Sequence, residues 1–141
     1  MEIRVLHRHQ IIENLLPQHA ENIADAAIHR WELIAAQIVS IIGEGGFNAL
    51  YIRSALRAHS AFPWLPTEPL SPQTDARFAN LKKSLEGQTP EQAGAANRLL
   101  LITLTDILAS LIGEDLTTRI LRSAWGNDVP SQAGQELKHD K

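Results

Sequence analysis

Cysteine is absent from the 141 residues, which excludes a disulfide framework and any thiolate-held metal and is compatible with a reducing compartment. Aromatic residues are scarce at 5%, while Ala, Leu and Ile abound, a balance that favours helix. An excess of positive charge is also missing: 13 Lys and Arg stand against 16 Asp and Glu, and the net charge of -3 argues against a general nucleic-acid binder. Arg4, His7, Arg8 and His9 make one small basic cluster, expected to be a solvated end. Residues 1–9 lack the apolar stretch of a signal peptide, so a cytoplasmic location is expected. The longest apolar run, residues 99–112, is broken by Thr103, Thr105, Asp106 and Ser110 and falls short of the roughly 20 residues a bilayer demands. It is expected to be a buried helix, with no membrane span.

Recognisable chemistry is scarce too. There is no glycine-rich phosphate loop, no Gly-x-Ser-x-Gly turn and no His-Glu-x-x-His helix, so neither an enzyme nor a cofactor is expected. A phosphotransfer histidine wants a basic and a small residue downstream on an exposed face. His29, followed by Arg30, Trp31, Glu32 and Leu33, does not fit, and His19 fits no better.

What is present is helical periodicity. At 141 residues, 44% apolar and 21% charged, the chain suits one domain with its own core. Ala20, Ala24, Ala27, Trp31, Ile34, Ile38 and Ile41 recur at steps of four and three, predicting an amphipathic helix over 18–43 that ends at Gly43. Gly45 and Gly46 then release the chain into a helix over 47–59, and a short helix over 9–16 precedes Pro17. Further helices are expected over 73–86, 90–112 and 115–125. Thr89, Pro90 and Gln92 form a start signal, a capping hydroxyl, a first-turn proline and a capping-box partner.

The two halves resemble each other. Ser40-Ile41-Ile42-Gly43-Glu44 matches Ser110-Leu111-Ile112-Gly113-Glu114, and Arg53-Ser54-Ala55 matches Arg122-Ser123-Ala124 after a one-residue gap. The reading is therefore an all-α, compact six-helix bundle of two tandem three-helix units with approximate internal two-fold symmetry. Residues 1–8 are an N-terminal extension, 9–127 a single helical domain with units over 9–60 and 73–127, and 128–141 a flexible polar tail. Pro63, Pro66, Pro69 and Pro72 space the strap over 61–72 at the three-residue period of polyproline II. A stiff strap across the bundle is favoured over a ligand for a proline-recognition domain.

Few side chains are candidates for a site. Glu44 and Glu114 open helices, where carboxylates meet free amides and the positive dipole end. Under two-fold symmetry Arg53 would pair with Glu114 and Arg122 with Glu44. Asp106, the lone ionisable group within 99–112, needs a partner if buried, or lies on a wet stripe with Thr103, Ser110 and Gly113. Asp25, His29 and Glu32 share one helix face and are a candidate metal trio, although a solvated face is favoured. The function expected is a non-enzymatic helical interaction or regulatory module, acting on a protein partner or by self-association as a homodimer. The alternative is a small-ligand or metal sensor with its site between the units, drawing on Asp106, Trp31, Trp125, Glu44 and Glu114.

Overall fold

The structure, a computed structural model, describes residues 8–12, 23–68, 70 and 76–125. Every regular element among the described residues is helical. Residues 8–12 form a helical piece, α1. It is followed by α2 (Ile23–His59), α3 (Ala79–Glu86), α4 (Pro90–Ile112) and α5 (Glu114–Trp125). Pro17, His19, most of the strap beyond residue 68 and the polar tail lie outside the described residues.

The all-α class is as expected, but among the described residues the helices number five rather than six. The two helices predicted over 18–43 and 47–59 are one helix of 37 residues, kinked at Gly43. Gly43 has φ 85° and ψ 168°, outside the helical region, yet the helix resumes at the next residue. Gly45 and Gly46 are therefore helical and do not form a linker. Gly46 is small for a packing reason, because a Cβ there would come within 3.0 Å of the Ile42 side chain. Gly113 adopts the same conformation as Gly43, φ 97° and ψ 156°, between α4 and α5. Three residues before each glycine a serine hydroxyl donates to a carbonyl of its own helix, Ser40 to Gln37 and Ser110 to Ile107. At the start of α4, Thr89 accepts from the Gln92 amide at 3.2 Å and Pro90 takes the first helical position, as the sequence predicts. The first helix of the second half, expected over 73–86, begins later, at Ala79.

Packing centres on α2, which lies against α3, α4 and α5. Trp31 is its hub. The indole is fully buried, meets Tyr51 edge-on and Phe78 at a tilt, both with ring centroids 5.6 Å apart, and donates to Asn97 Oδ1 at 2.8 Å. That bond satisfies the carbonyl oxygen of the buried Asn97 amide in α4. Phe47 completes the aromatic cluster, 6.3 Å from both Tyr51 and Phe78. Leu65 anchors the strap at 3% exposure, and a turn closes residues 62–65, where Leu65 N donates to Phe62 O. The polyproline geometry expected there gives way to that turn because it points Leu65 into the core.

Buried positions recur at a fixed interval. Ile23, Ala27, Trp31, Ile34, Ala35 and Ile38 of α2 are each buried. So are the residues seventy positions on (113 minus 43 at the glycines), which are Ala93, Asn97, Leu101, Leu104, Thr105 and Leu108 of α4. Beyond the kink, Phe47, Leu50 and Tyr51 correspond likewise to Thr117, Ile120 and Leu121 of α5. The Arg-Ser-Ala match is one residue out of this register: Ser54 is buried and Ser123 exposed. One residue turns a helix by about 100°, enough to bring another face inward.

Two of these helices, α2 and α4, also contain 18-residue windows apolar enough to cross a bilayer, with mean hydropathy 1.4 and 1.6. In the fold 28% and 44% of those windows is buried, and the two helices pack on each other.

Stability tests follow from the backbone and from Tyr51. Gly113→Ala is expected to lose about 1–3 kcal/mol in urea unfolding, because its φ and ψ are nearly exclusive to glycine. Gly94→Ala, within α4 and with open space around a new Cβ, is expected to gain about 0.5–1 kcal/mol. Burial, helped by Glu68, raises the Tyr51 phenol above its ordinary value of 10.0. Below pH 10 the phenol is neutral in both states and the stability is intact. Above it the unfolded chain releases a proton that the folded chain keeps, so stability falls as pH rises. An unfolding series from pH 9 to 11 is expected to show this fall in the native protein and a shallower one in Tyr51→Phe.

Candidate functional site

Each positive-φ glycine turns the chain so that the next residue, Glu44 or Glu114, opens a new helical stretch. At the second elbow the carboxylate meets an arginine from the far end of the chain. Arg8 of α1 donates through Nε and Nη2 to the two oxygens of Glu114, at 3.0 and 2.8 Å. Its Nη1 donates to Thr105 Oγ1 at 2.9 Å and to Asp106 Oδ1 at 2.7 Å. His9 Nε2 meets the same Asp106 oxygen at 2.8 Å. Arg8 is 1% exposed, contrary to the solvated end expected of its basic cluster. Burial opposes the charge on Arg8, but hydrogen bonds and attraction from Glu114 and Asp106 outweigh it, and the guanidinium pKa lies above its ordinary value. Four of its five N–H donors are thus engaged within the protein. The cluster holds α1 against the α4–α5 corner, leaving Arg8 little free to offer a substrate.

The first elbow has a smaller version of this contact. Arg77, just before α3, donates through Nη2 to Glu44 Oε2 at 3.0 Å. Its guanidinium carbon lies 5.9 Å from the Phe47 ring centroid. Arg8 and Arg77 are sixty-nine positions apart (77 minus 8), and each precedes by four residues a core aliphatic, Ile12 or Leu81, that is 1% exposed.

Crosswise arginine–glutamate pairing therefore exists, but the expected donors are not the ones that make it. Arg53 and Arg122 lie exposed on the second stretch of α2 and on α5, while Arg77 and Arg8 reach the glutamates. Asp106 lies on the exposed stripe with Ser110 and Gly113, and its side chain, 45% exposed, also serves Arg8. Trp31 and Trp125 are buried, and Trp125 Nε1 donates to Arg30 O at 3.0 Å, so neither indole lines an open site. Asp25 pairs with Lys82 at 3.0 Å, and His29 and Glu32 are exposed. Among the described residues no three His, Asp or Glu side chains converge as a metal site requires. The helical spacing of Asp25, His29 and Glu32 sets them along a face without gathering them round a point.

Arg8 and Arg77 are the residues that reading the sequence missed. Carrying the internal match back from the elbows, Arg8-x-x-x-Ile12 against Arg77-x-x-x-Leu81, exposes both. No protein-family model, curated protein or solved structure matches the chain.

The unequal burial of the two pairs predicts unequal costs. The side chains of Arg8 and Glu114 are 2% and 17% exposed, against 10% and 62% for Arg77 and Glu44. Arg8→Met is expected to cost about 2–4 kcal/mol by denaturant unfolding, since it removes two charged hydrogen bonds from Glu114 and one from Asp106 at a largely buried corner. Arg77→Met is expected to cost about 1 kcal/mol or less. Equal losses would show that burial does not set the worth of these pairs.

Proposed function

We propose that the chain is a non-enzymatic helical interaction module built of two like units, over 9–60 and 73–127. Three observations support the duplication. The seventy-residue interval relates the core positions of α2 to those of α4 and α5. Both elbow glycines share one rare backbone conformation. Arg8, immediately before the first unit, reaches the second unit's elbow glutamate, and Arg77 of the second unit reaches the first unit's, the reciprocity expected of an approximate two-fold axis.

One observation carries the interaction reading. Ala49, Ile52, Arg53, Leu56, Arg57 and Ser60 form a stripe along one face of the second stretch of α2 that lies open to solvent. Leu56 is 55% exposed on it. Arg53 and Arg57 flank the leucine one helical turn apart, and neither has an ion pair among the described residues. An apolar floor with an arginine rim suits an amphipathic helix carrying leucines and carboxylates. Two copies packing stripe to stripe would set arginine against arginine, so a homodimer through this face would have to offer an acidic surface.

Amide chemical shifts provide the test. A helical peptide of leucine and glutamate is expected to shift amides 49–60, whereas a leucine–lysine peptide is not. Leu56→Asp should abolish the effect, and Arg53→Glu with Arg57→Glu should reverse the preference. If neither peptide nor raised protein concentration perturbs these amides, the reading fails.

A further inference from the structure

Arg8 and Arg77 meet their glutamates alike but differ in what stands beyond the guanidinium. Thr105 and Asp106, which accept from Arg8 Nη1, lie seventy positions after Ala35 and Ala36. An alanine side chain offers no acceptor. Arg77 consequently makes one hydrogen bond within the described protein, to Glu44, although its side chain is only 10% exposed and a guanidinium carries five donors. The Phe47 ring satisfies charge but takes none of those N–H groups in a strong bond. Beside Arg77 the space is open. Glu32, Ala36, Val39, Glu44, Arg77 and Phe78 line a cavity of about 310 Å³.

We propose that this cavity binds a small amino-carboxylate, whose carboxylate takes on Arg77 the place that Asp106 takes on Arg8. Three features of the lining define the ligand. The Arg77 donors that Glu44 leaves unengaged open toward this cavity and call for a carboxylate, the group the other elbow supplies from its own chain. The lining holds two carboxylates and one guanidinium, so a bare anion meets net negative charge. An ammonium on the same molecule offsets it, facing Glu32, an exposed carboxylate of the lining that is also within electrostatic reach of Lys82. Ala36, Val39 and Phe78 provide apolar contact for a hydrocarbon body, and the volume is at the small end for ligand sites. The cavity shares no residue with the Leu56 stripe, so this inference and the interaction reading stand or fall separately.

Isothermal titration calorimetry on the full chain tests the proposal with three probes differing by one group: leucine, 4-methylpentanoate, which lacks the amine, and 3-methylbutylamine, which lacks the carboxylate. Leucine is expected to bind at least about tenfold more tightly than either truncated probe, as befits loss of a charged hydrogen bond. Ala36→Asp is expected to supply the missing carboxylate from the chain itself and weaken leucine binding about tenfold or more. Because position 36 is exposed, this variant should fold. Leu56→Asp is expected to leave leucine binding unchanged. No heat with any of the three probes overturns the site. Equal binding of leucine and 4-methylpentanoate overturns the amino-carboxylate class, and undiminished binding to Ala36→Asp overturns the placement at Arg77.

Discussion

A backbone conformation that only glycine tolerates cheaply, φ near +90° with ψ extended, sets where each long helix changes direction, and the remaining features depend on it. At Gly43 and Gly113 the helical hydrogen-bond ladder is interrupted and then resumes at once, so a glutamate opens each new stretch. The carboxylate faces the positive end of that stretch and is also within reach of an arginine from elsewhere in the chain. The elbow thus converts a local dihedral into a long-range tie. At the second elbow this tie spans 106 residues and fastens α1 to the body of the domain.

The two ties are unequal, and their difference gives the molecule its chemical interest. Around Arg8 the chain provides Glu114, Asp106 and Thr105, so burying the guanidinium leaves few donors unmet. Around Arg77 the corresponding helix carries two alanines, leaving donors beside a cavity. In the proposed duplication, one unit has become a closed structural corner and the other an open one. A substitution of two side chains on one helix suffices, because the elbow geometry is carried by backbone and glycine.

The aromatic cluster works on a different scale. Trp31, Phe47, Tyr51 and Phe78 bring both stretches of α2 together with the lead into α3. Four of the seven aromatic residues are spent on this one centre, which holds the kink of α2 from inside while Arg77 holds it from outside. The exposed Leu56 stripe lies on the opposite side of the same helical stretch from Tyr51 and Phe47, so one rigid rod serves both core and proposed docking face.

Helix content, the two elbow glycines, the cap at Thr89 and the apolar faces of α2 and α4 were legible in the sequence, because each depends on residues within a few positions of one another. The kinked continuity of α2 was not, since glycine pairs are as compatible with a loop as with a close-packed helix, and Gly45 and Gly46 lie within the helix. The arginine partners were also beyond local reading. Exposed Arg53 and Arg122 and inward-facing Arg8 and Arg77 are chemically alike, and only the approach of distant helices tells them apart. The sequence by itself determined where helices run, which faces are apolar and where glycine permits a sharp turn, all properties of neighbouring residues. Tertiary structure alone decided which charges are buried together and which guanidinium keeps donors to spare, because desolvation and pairing depend on groups separated by much of the chain.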